Sequence, residues 1–247
     1  MKNSFDIKKA TKYLRNSVSN DDNADANYQL GTIYYTVRKD IAKAIRYFEC
    51  SSDKNHSEAN YALGFIYETG IEVKKDLDKA IYYYELSSKS NNSKALYRLG
   101  ILYIKESIDK AFYYLNKAVK LNNSDAMYLI GYIYYSNLYV ERDLSKAFEF
   151  LQKSANANNY KAQYFLGLIY YSNKNLSKAF DYFTLCSKHN YIDAYYMLGM
   201  IYLNKNFENY DKLKAIDYFL YCSNINHLDA QFTLGCIYYI DRDIDKS

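Results

Sequence analysis

Four cysteines and three histidines are the side chains in this 247-residue chain best suited to ligate a metal or attack a substrate. Their spacing argues against both. Cys50, Cys186, Cys222 and Cys236 include no C-x-x-C pair, and His56, His189 and His227 have no partner at H-x3-H spacing. His56 and His227 each directly follow an Asn and His189 precedes one, so all three read as solvent-exposed turn residues rather than ligands. Cys186 and Cys222 stand where other copies of an internal repeat carry Ser87 or Ser154, which makes them small core residues. No G-x-S-x-G, no phosphate-cradling Gly-rich loop and no H-E-x-x-H is present. The expectation is a non-catalytic chain with no cofactor and no metal.

What does recur is a nine-residue pattern, clearest at Ala162-Gln163-Tyr164-Phe165-Leu166-Gly167-Leu168-Ile169-Tyr170 and repeated seven times. Its glycines are Gly31, Gly64, Gly100, Gly131, Gly167, Gly199 and Gly235, and only Gly70 falls outside the set. Apolar residues lie five before, one before, and two and three after each glycine, which is one face of an α-helix. A glycine in mid-helix costs about 1 kcal/mol relative to Ala. The expected compensation is close approach of a second helix to a backbone without Cβ, recurring with the repeat.

A second pattern follows every glycine helix but the last. Its anchors are Lys43-Ala44, Lys79-Ala80, Lys110-Ala111, Lys146-Ala147, Lys178-Ala179 and Lys214-Ala215, each with bulky residues three and four positions on. Four residues before the Ala stands Asp6, Asp40, Asp76, Ser107, Asp143, Asn175 or Asp211, predicting an N-cap. Eleven residues after it come Asn55, Asn91, Asn122, Asn158, Asn190 and Asn226, predicting left-handed helix ends. From the Ala to the next glycine the count is 20 in six cases of seven, while from glycine to the next Ala it is 13, 16, 11, 16, 12 and 16. The first connection is therefore a fixed turn and the second a variable loop.

The chain resembles the Sel1-like repeat family, a relative of the tetratricopeptide repeat. The unit from Ser57 to Asn91 carries the match most fully, with Ala59-Asn60-Tyr61-Ala62-Leu63-Gly64-Phe65-Ile66-Tyr67, then Gly70, Val73 and Asp76, then Lys79-Ala80-Ile81-Tyr82-Tyr83-Tyr84. The resemblance implies an all-α fold, a right-handed α-α superhelix or solenoid of stacked antiparallel helix pairs. It implies one solenoid over 1–247: an N-terminal unpaired helix at 6–20, units at 24–56, 57–92, 93–123, 124–159, 160–191 and 192–227, and an incomplete unit at 228–247. Units three and five depart from the family pattern in having shortened loops without the usual glycines. Asp243-Ile244-Asp245-Lys246-Ser247 parallels Asp76-Leu77-Asp78-Lys79-Ala80, so a second helix would restart there and be cut short, leaving the seventh glycine helix bare. That points to a truncated or divergent terminus, with cover by another chain, including self-association through the uncapped C-terminal end, as the other reading. The paired cysteines with which some secreted relatives build regular disulfides are absent.

Composition limits the function classes. The 32 basic and 28 acidic residues are dispersed and leave a net charge of only +4, which argues against a nucleic-acid partner. The N-terminus has no apolar leader-like run and no stretch approaches a bilayer span, so neither membrane insertion nor export is expected and the location is read as cytoplasmic. The remaining signal is a column one and four residues after each glycine that differs from copy to copy: Thr32 and Tyr35, Phe65 and Glu68, Ile101 and Ile104, Tyr132 and Tyr135, Leu168 and Tyr171, Met200 and Leu203, Cys236 and Tyr239. Packing demands sameness between units, whereas recognition permits difference. In tetratricopeptide-like arrays the first helix lines the concave surface, so the resemblance implies that this column faces a groove. The alternative is additional core between units. The functional expectation is a protein–protein interaction adaptor or scaffold holding a segment of another protein. A hydrolase, as attributed to some members of the family, and an RNA-binding repeat are the other two classes.

Overall fold

The computed structural model describes residues 2–21 and 23–244, with the side chains of residues 2–5, 20, 21 and 241–244 excepted. Among these residues are fourteen α-helices, one π-helical turn and no strand. In order they are α1 (Lys2–Asp21), α2 (Ala24–Ile33), the π turn (Tyr34–Arg38), α3 (Ile41–Ser52), α4 (Ser57–Thr69), α5 (Leu77–Lys89), α6 (Ser93–Tyr103), α7 (Ile108–Lys120), α8 (Ser124–Ser136), α9 (Leu144–Asn156), α10 (Tyr160–Ser172), α11 (Leu176–Ser187), α12 (Ile192–Tyr202), α13 (Lys212–Ser223) and α14 (Leu228–Ile244). The even-numbered helices carry the repeat glycines and the odd-numbered ones from α3 carry the Lys-Ala anchors. The chain divides into two compact units, Met1–Ala126 and Met127–Ser247.

Local chemistry sets the helix ends. Asp40, Asp76, Ser107, Asp143, Asn175 and Asp211 each accept a hydrogen bond from the backbone N–H three residues on, satisfying an otherwise orphaned donor. Asn55, Asn91, Asn122, Asn158, Asn190 and Asn226 all adopt left-handed conformations, with φ between 56° and 64°. The chain reverses there and the next residue caps the following helix: His56, Asn92, Asn123, Asn159 and His227 accept from Ala59, Ala95, Ala126, Ala162 and Ala230 N–H. The sixth such residue, Tyr191, makes no side-chain cap. On the variable side, Gly70 closes α4 at φ 69°, a conformation that its missing Cβ allows.

Two expectations need correction, and one connection has a form of its own. Asp6 is not an N-cap but lies inside α1, which starts at Lys2 because nothing in the preceding residues breaks a helix. The 13-residue connection from Gly31 to Ala44 is one residue longer than the 12 from Gly167 to Ala179, and the chain winds a π-helical turn there. The second-helix restart expected at Asp243 is not formed, since α14 continues through Ile244; residues 245–247 lie outside the described residues. Between Gly235 and Asp243 no residue takes the left-handed conformation that Lys39, Gly70, Asn137 and Lys174 adopt in other loops, so nothing terminates the helix.

The glycines are spaces for side chains. A Cβ on Gly31 would lie 2.5 Å from Phe48, on Gly64 2.6 Å from Tyr84, on Gly100 2.5 Å from Leu115, on Gly131 2.8 Å from Leu151, on Gly167 2.6 Å from Phe183 and on Gly199 2.7 Å from Phe219. Each of these residues stands four after the anchor Ala, so the small Ala and the bulky residue lie one turn apart on the same face of the odd helix. The six bulky residues are almost completely buried. Gly235 has no such neighbour within 4 Å among the described residues. Seven residues after the anchor Ala, Ser51, Ser87, Cys186 and Cys222 each point a short donor at a carbonyl opening the even helix of the same pair: Ala24, Ser57, Tyr160 and Ile192 O. Cys186 and Cys222 are thus the small core residues expected of them.

The anchor lysines have a role that spacing alone did not disclose. Lys43, Lys79, Lys110, Lys146, Lys178 and Lys214 lie over the rings of Tyr34, Tyr67, Tyr103, Tyr134, Tyr170 and Tyr202, with the ammonium 4.4–5.7 Å from the ring centroid. Each of these rings also stacks on Tyr47, Tyr83, Tyr114, Phe150, Tyr182 or Tyr218, within 20° of parallel. A cation, a ring and a ring thus close every helix pair from α2–α3 to α12–α13.

Alkaline pH should loosen this arrangement. Burial first, then nearby carboxylates, push the Tyr83 and Tyr114 hydroxyls up to about 12, and burial with a hydrogen bond to Glu68 raises Tyr84 further. In the unfolded chain these hydroxyls ionise near roughly pH 10. Because the folded state holds the protons longer, their contribution is fully present below about pH 10 and is lost as pH rises toward about 12. The urea midpoint should therefore hold level through neutral pH and fall above about pH 10; a midpoint independent of pH across that range would contradict the burial argument.

Candidate interaction surface

Residues three before, one after and four after each glycine share one face of the even helices. On α2 and the π turn that continues it they are Tyr28, Thr32 and Tyr35; on α4, Tyr61, Phe65 and Glu68; on α8, Tyr128, Tyr132 and Tyr135; on α10, Tyr164, Leu168 and Tyr171; on α12 and its C-cap, Tyr196, Met200 and Leu203. The residue two before the glycine of the next even helix meets this face, and its size decides what is left there.

In the second unit the face on α8 is closed by Phe165, whose ring lies 6.3, 5.6 and 5.1 Å from the rings of Tyr128, Tyr132 and Tyr135, edge-on to all three. Met197 belongs to the buried cluster against which Tyr164, Leu168 and Tyr171 pack. Thr233 reaches only a 3.4 Å hydrogen bond with the Tyr196 hydroxyl.

In the first unit the face on α4 is closed by Arg98. Its Nε donates to Glu68 Oε2 at 2.9 Å and its guanidinium lies 5.6 Å over the Phe65 ring. The same Glu68 oxygen accepts from the fully buried Tyr84 hydroxyl at 2.6 Å. Glu68 therefore ties α4 to α5 and α6. The face on α2 meets Ala62, the smallest residue at this position. A cleft of about 240 Å³ remains, walled by Tyr28, Thr32 and Tyr35 on one side and Tyr61, Ala62 and Phe65 on the other. The buried Phe48 and Ile66 form its floor, and Glu58 and Lys94 its rim.

The residues expected at a groove are thus dispersed. Tyr35 and Phe65 share the α2–α4 cleft, Tyr132 and Tyr135 hold Phe165, and Leu168, Tyr171, Met200 and Leu203 flank the main cluster of the second unit. Ile101 is half-buried, Ile104 packs on the core of the first unit, and Tyr239 is 69% exposed on α14. The determining position, two before the glycine, went unread in the sequence. Its signal was size: Gln29, Ala62, Arg98, Leu129, Phe165, Met197 and Thr233 share no property.

Two histidines also correct an expectation. His56 and His227 are not solvent-exposed turn residues but half-buried caps. The Nδ1 atoms accept from the Ala59 and Ala230 N–H groups, each at 3.2 Å. The Nε2 atoms lie 3.0 and 3.2 Å from the Asp25 and Asp193 carboxylates, and the rings stack 4.7 and 4.9 Å from those of Tyr28 and Tyr196. With Nδ1 accepting, the proton sits on Nε2 and is donated to the carboxylate. His189 is exposed. No cluster of three or more His, Cys, Asp or Glu side chains that could hold a metal is found among the described residues. Nor is any helix among them long and apolar enough to cross a membrane.

Comparison with curated proteins gave no match. Among solved structures, the chain is similar to a protective antigen of uropathogenic Escherichia coli strains described as displaying an SLR fold, with a TM-score of 0.80 at 23% identity over 94% of this chain and 52% of that one. The chain thus spans about half the length of the antigen. It is also similar to a Sel1 repeat protein from Oxalobacter formigenes, with a TM-score of 0.75 at 21% identity over 89% of this chain and 100% of that one. A chain of the Cut9–Hcn1 hetero-tetramer of the APC/C matches with a TM-score of 0.62 at 19% identity, over 94% of this chain and 46% of that one.

The stacked helix pairs and these likenesses define an all-α repeat protein of the solenoid class. The family model for the Sel1 repeat matches residues 24–56, 57–92, 93–123, 124–159, 161–190 and 192–221, well over half of the sequence, and the chain belongs to the Sel1 repeat family.

Proposed function

We propose that this chain is a non-catalytic adaptor that holds a segment of another protein against the face of its even-numbered helices, in the cytoplasm. Repeats of this kind generally mediate protein–protein interaction, which is the coarse ground for the reading. The observation that carries it for this chain is the contrast between two sets of positions. The residues that pack helix against helix are nearly alike in every copy. Those on the neighbouring face range from Glu68 to Leu168 and Tyr171, are mostly half-buried, and leave an apolar cleft open in the first unit. Partly exposed aromatic side chains supply large contact area with few rotatable bonds, the kind of anchor that dominates binding energies.

The test is capture of partners from the native cell by the wild-type chain and by the double variant Tyr135→Ser with Tyr171→Ser. Loss of a specifically captured protein from the still-folded variant is the expected result, at a urea midpoint lowered only by the packing that Tyr135 gives Phe165 and Tyr171 gives the second-unit cluster. Retained capture together with a lowered midpoint would mean that these rings serve packing alone and would overturn the assignment.

A further inference from the structure

We propose that the cleft beside Ala62 is a socket for one aromatic side chain with a carboxylate next to it, carried by a peptide segment of the partner protein. This rests on the adaptor reading above and gives its partner a chemistry.

The chain itself contains the filled version of this socket. Counting from the glycines, Tyr28 on α2 and Tyr35 in the π turn correspond to Tyr128 and Tyr135 on α8, and Ala62 on α4 corresponds to Phe165 on α10. In the second unit the phenyl ring of Phe165 stands edge-on to the tyrosines that flank it. In the first unit the tyrosines remain and the phenyl ring is absent. The space left, about 240 Å³, exceeds the roughly 150 Å³ that suffices for benzene in an apolar cavity. An aromatic ring from outside would make the edge-to-face contacts that Phe165 makes inside the fold.

Charge at the rim selects what accompanies the ring. Glu58 Oε1 already accepts from Asn92 Nδ2 at 3.0 Å. Lys94 lies 5.9 Å over the outer Tyr61 ring, is exposed, and forms no ion pair among the described residues. A carboxylate adjacent to the incoming ring on the α6 side would meet this ammonium, whereas one on the α4 side would be repelled by Glu58, whose charge the neutral Asn92 donor does not cancel.

The probe is hydrocinnamate, a phenyl ring on a short chain ending in a carboxylate, titrated into the full chain while the Ala62 and Ile66 methyl resonances are followed. Both methyls should shift with saturation, and the neutral hydrocinnamamide should bind roughly two- to fivefold more weakly, a difference that Lys94→Met removes. In Ala62→Phe the introduced ring should occupy the socket, so that the Ile66 methyl no longer responds while the melting temperature is equal to or above that of wild type. Should that variant fail to fold, Ala62→Leu gives the same readout with a smaller side chain. Methyls that stay put up to the solubility limit of hydrocinnamate, or an Ile66 response unchanged in a folded variant, would overturn the socket. At the level of the partner, a protein captured by wild type and lost from Ala62→Phe supports the proposal. One captured equally by both overturns it while leaving the adaptor reading intact, and a wild type that binds the probe but captures nothing sinks the adaptor reading alone.

Discussion

Gly167→Val should lower stability by about 3 kcal/mol or prevent folding of its unit, while Gly235→Ala should raise stability by up to about 1 kcal/mol. The two sites share a sequence pattern and a helix position and differ only in what faces them. At Gly167 a Cβ would stand 2.6 Å from Phe183 Cε1, and Phe183 is fully buried with no room to withdraw. A β-branched side chain there forces α10 and α11 apart, with the loss spread over every contact between them. At Gly235 nothing among the described residues lies within 4 Å, so Ala brings only the helix propensity that glycine forgoes. Urea midpoints of both variants, read at constant slope, decide the matter. An unchanged midpoint for Gly167→Val would mean that the glycine has no packing role, and a loss at Gly235 would mean that another element packs against this face of α14.

Phe183→Ala should cost about 3–5 kcal/mol, because it removes a fully buried ring and leaves a cavity between backbones that cannot close. The informative measurement is its coupling to Gly167. In the wild type, Gly167→Ala meets the Phe183 ring and should destabilise despite the better helix propensity of Ala. In the Phe183→Ala background the same change meets empty space and should stabilise by up to about 1 kcal/mol. The double-mutant cycle therefore predicts a coupling of at least about 1 kcal/mol with a reversal of sign. Additive effects would show that glycine and ring, though in contact, are not complementary.

Much of the fold could be read from residue types because the decisive interactions are local. An Asp or Asn side chain reaching the N–H three residues on, or an Asn accepting a left-handed φ, depends on a few neighbouring residues, so caps at Asp40 to Asp211 and helix ends at Asn55 to Asn226 follow from spacing alone. Where local logic was pressed past its information it misled. Asp6 looks like the other caps, but its helix begins earlier, and Asp243 looks like a helix start, but nothing before it ends α14. His56 and His227 looked like loose turn residues because a carboxylate more than thirty residues away in sequence is invisible to spacing.

By itself the sequence determined the all-α class, the pairing of helices, the termini of the odd-numbered helices that follow every glycine helix but the last, and the burial of Cys186 and Cys222, all of which are repeated often enough for periodicity to expose them. The tertiary structure alone decided which side chain fills each glycine, how the anchor lysines cap a ring stack, and why the neighbouring face is closed by Phe165 in one unit and open at Ala62 in the other. The physical reason is that these outcomes depend on the size of a residue brought in from the next repeat. A substitution from Ala to Phe leaves the helical pattern untouched and changes a cleft into core.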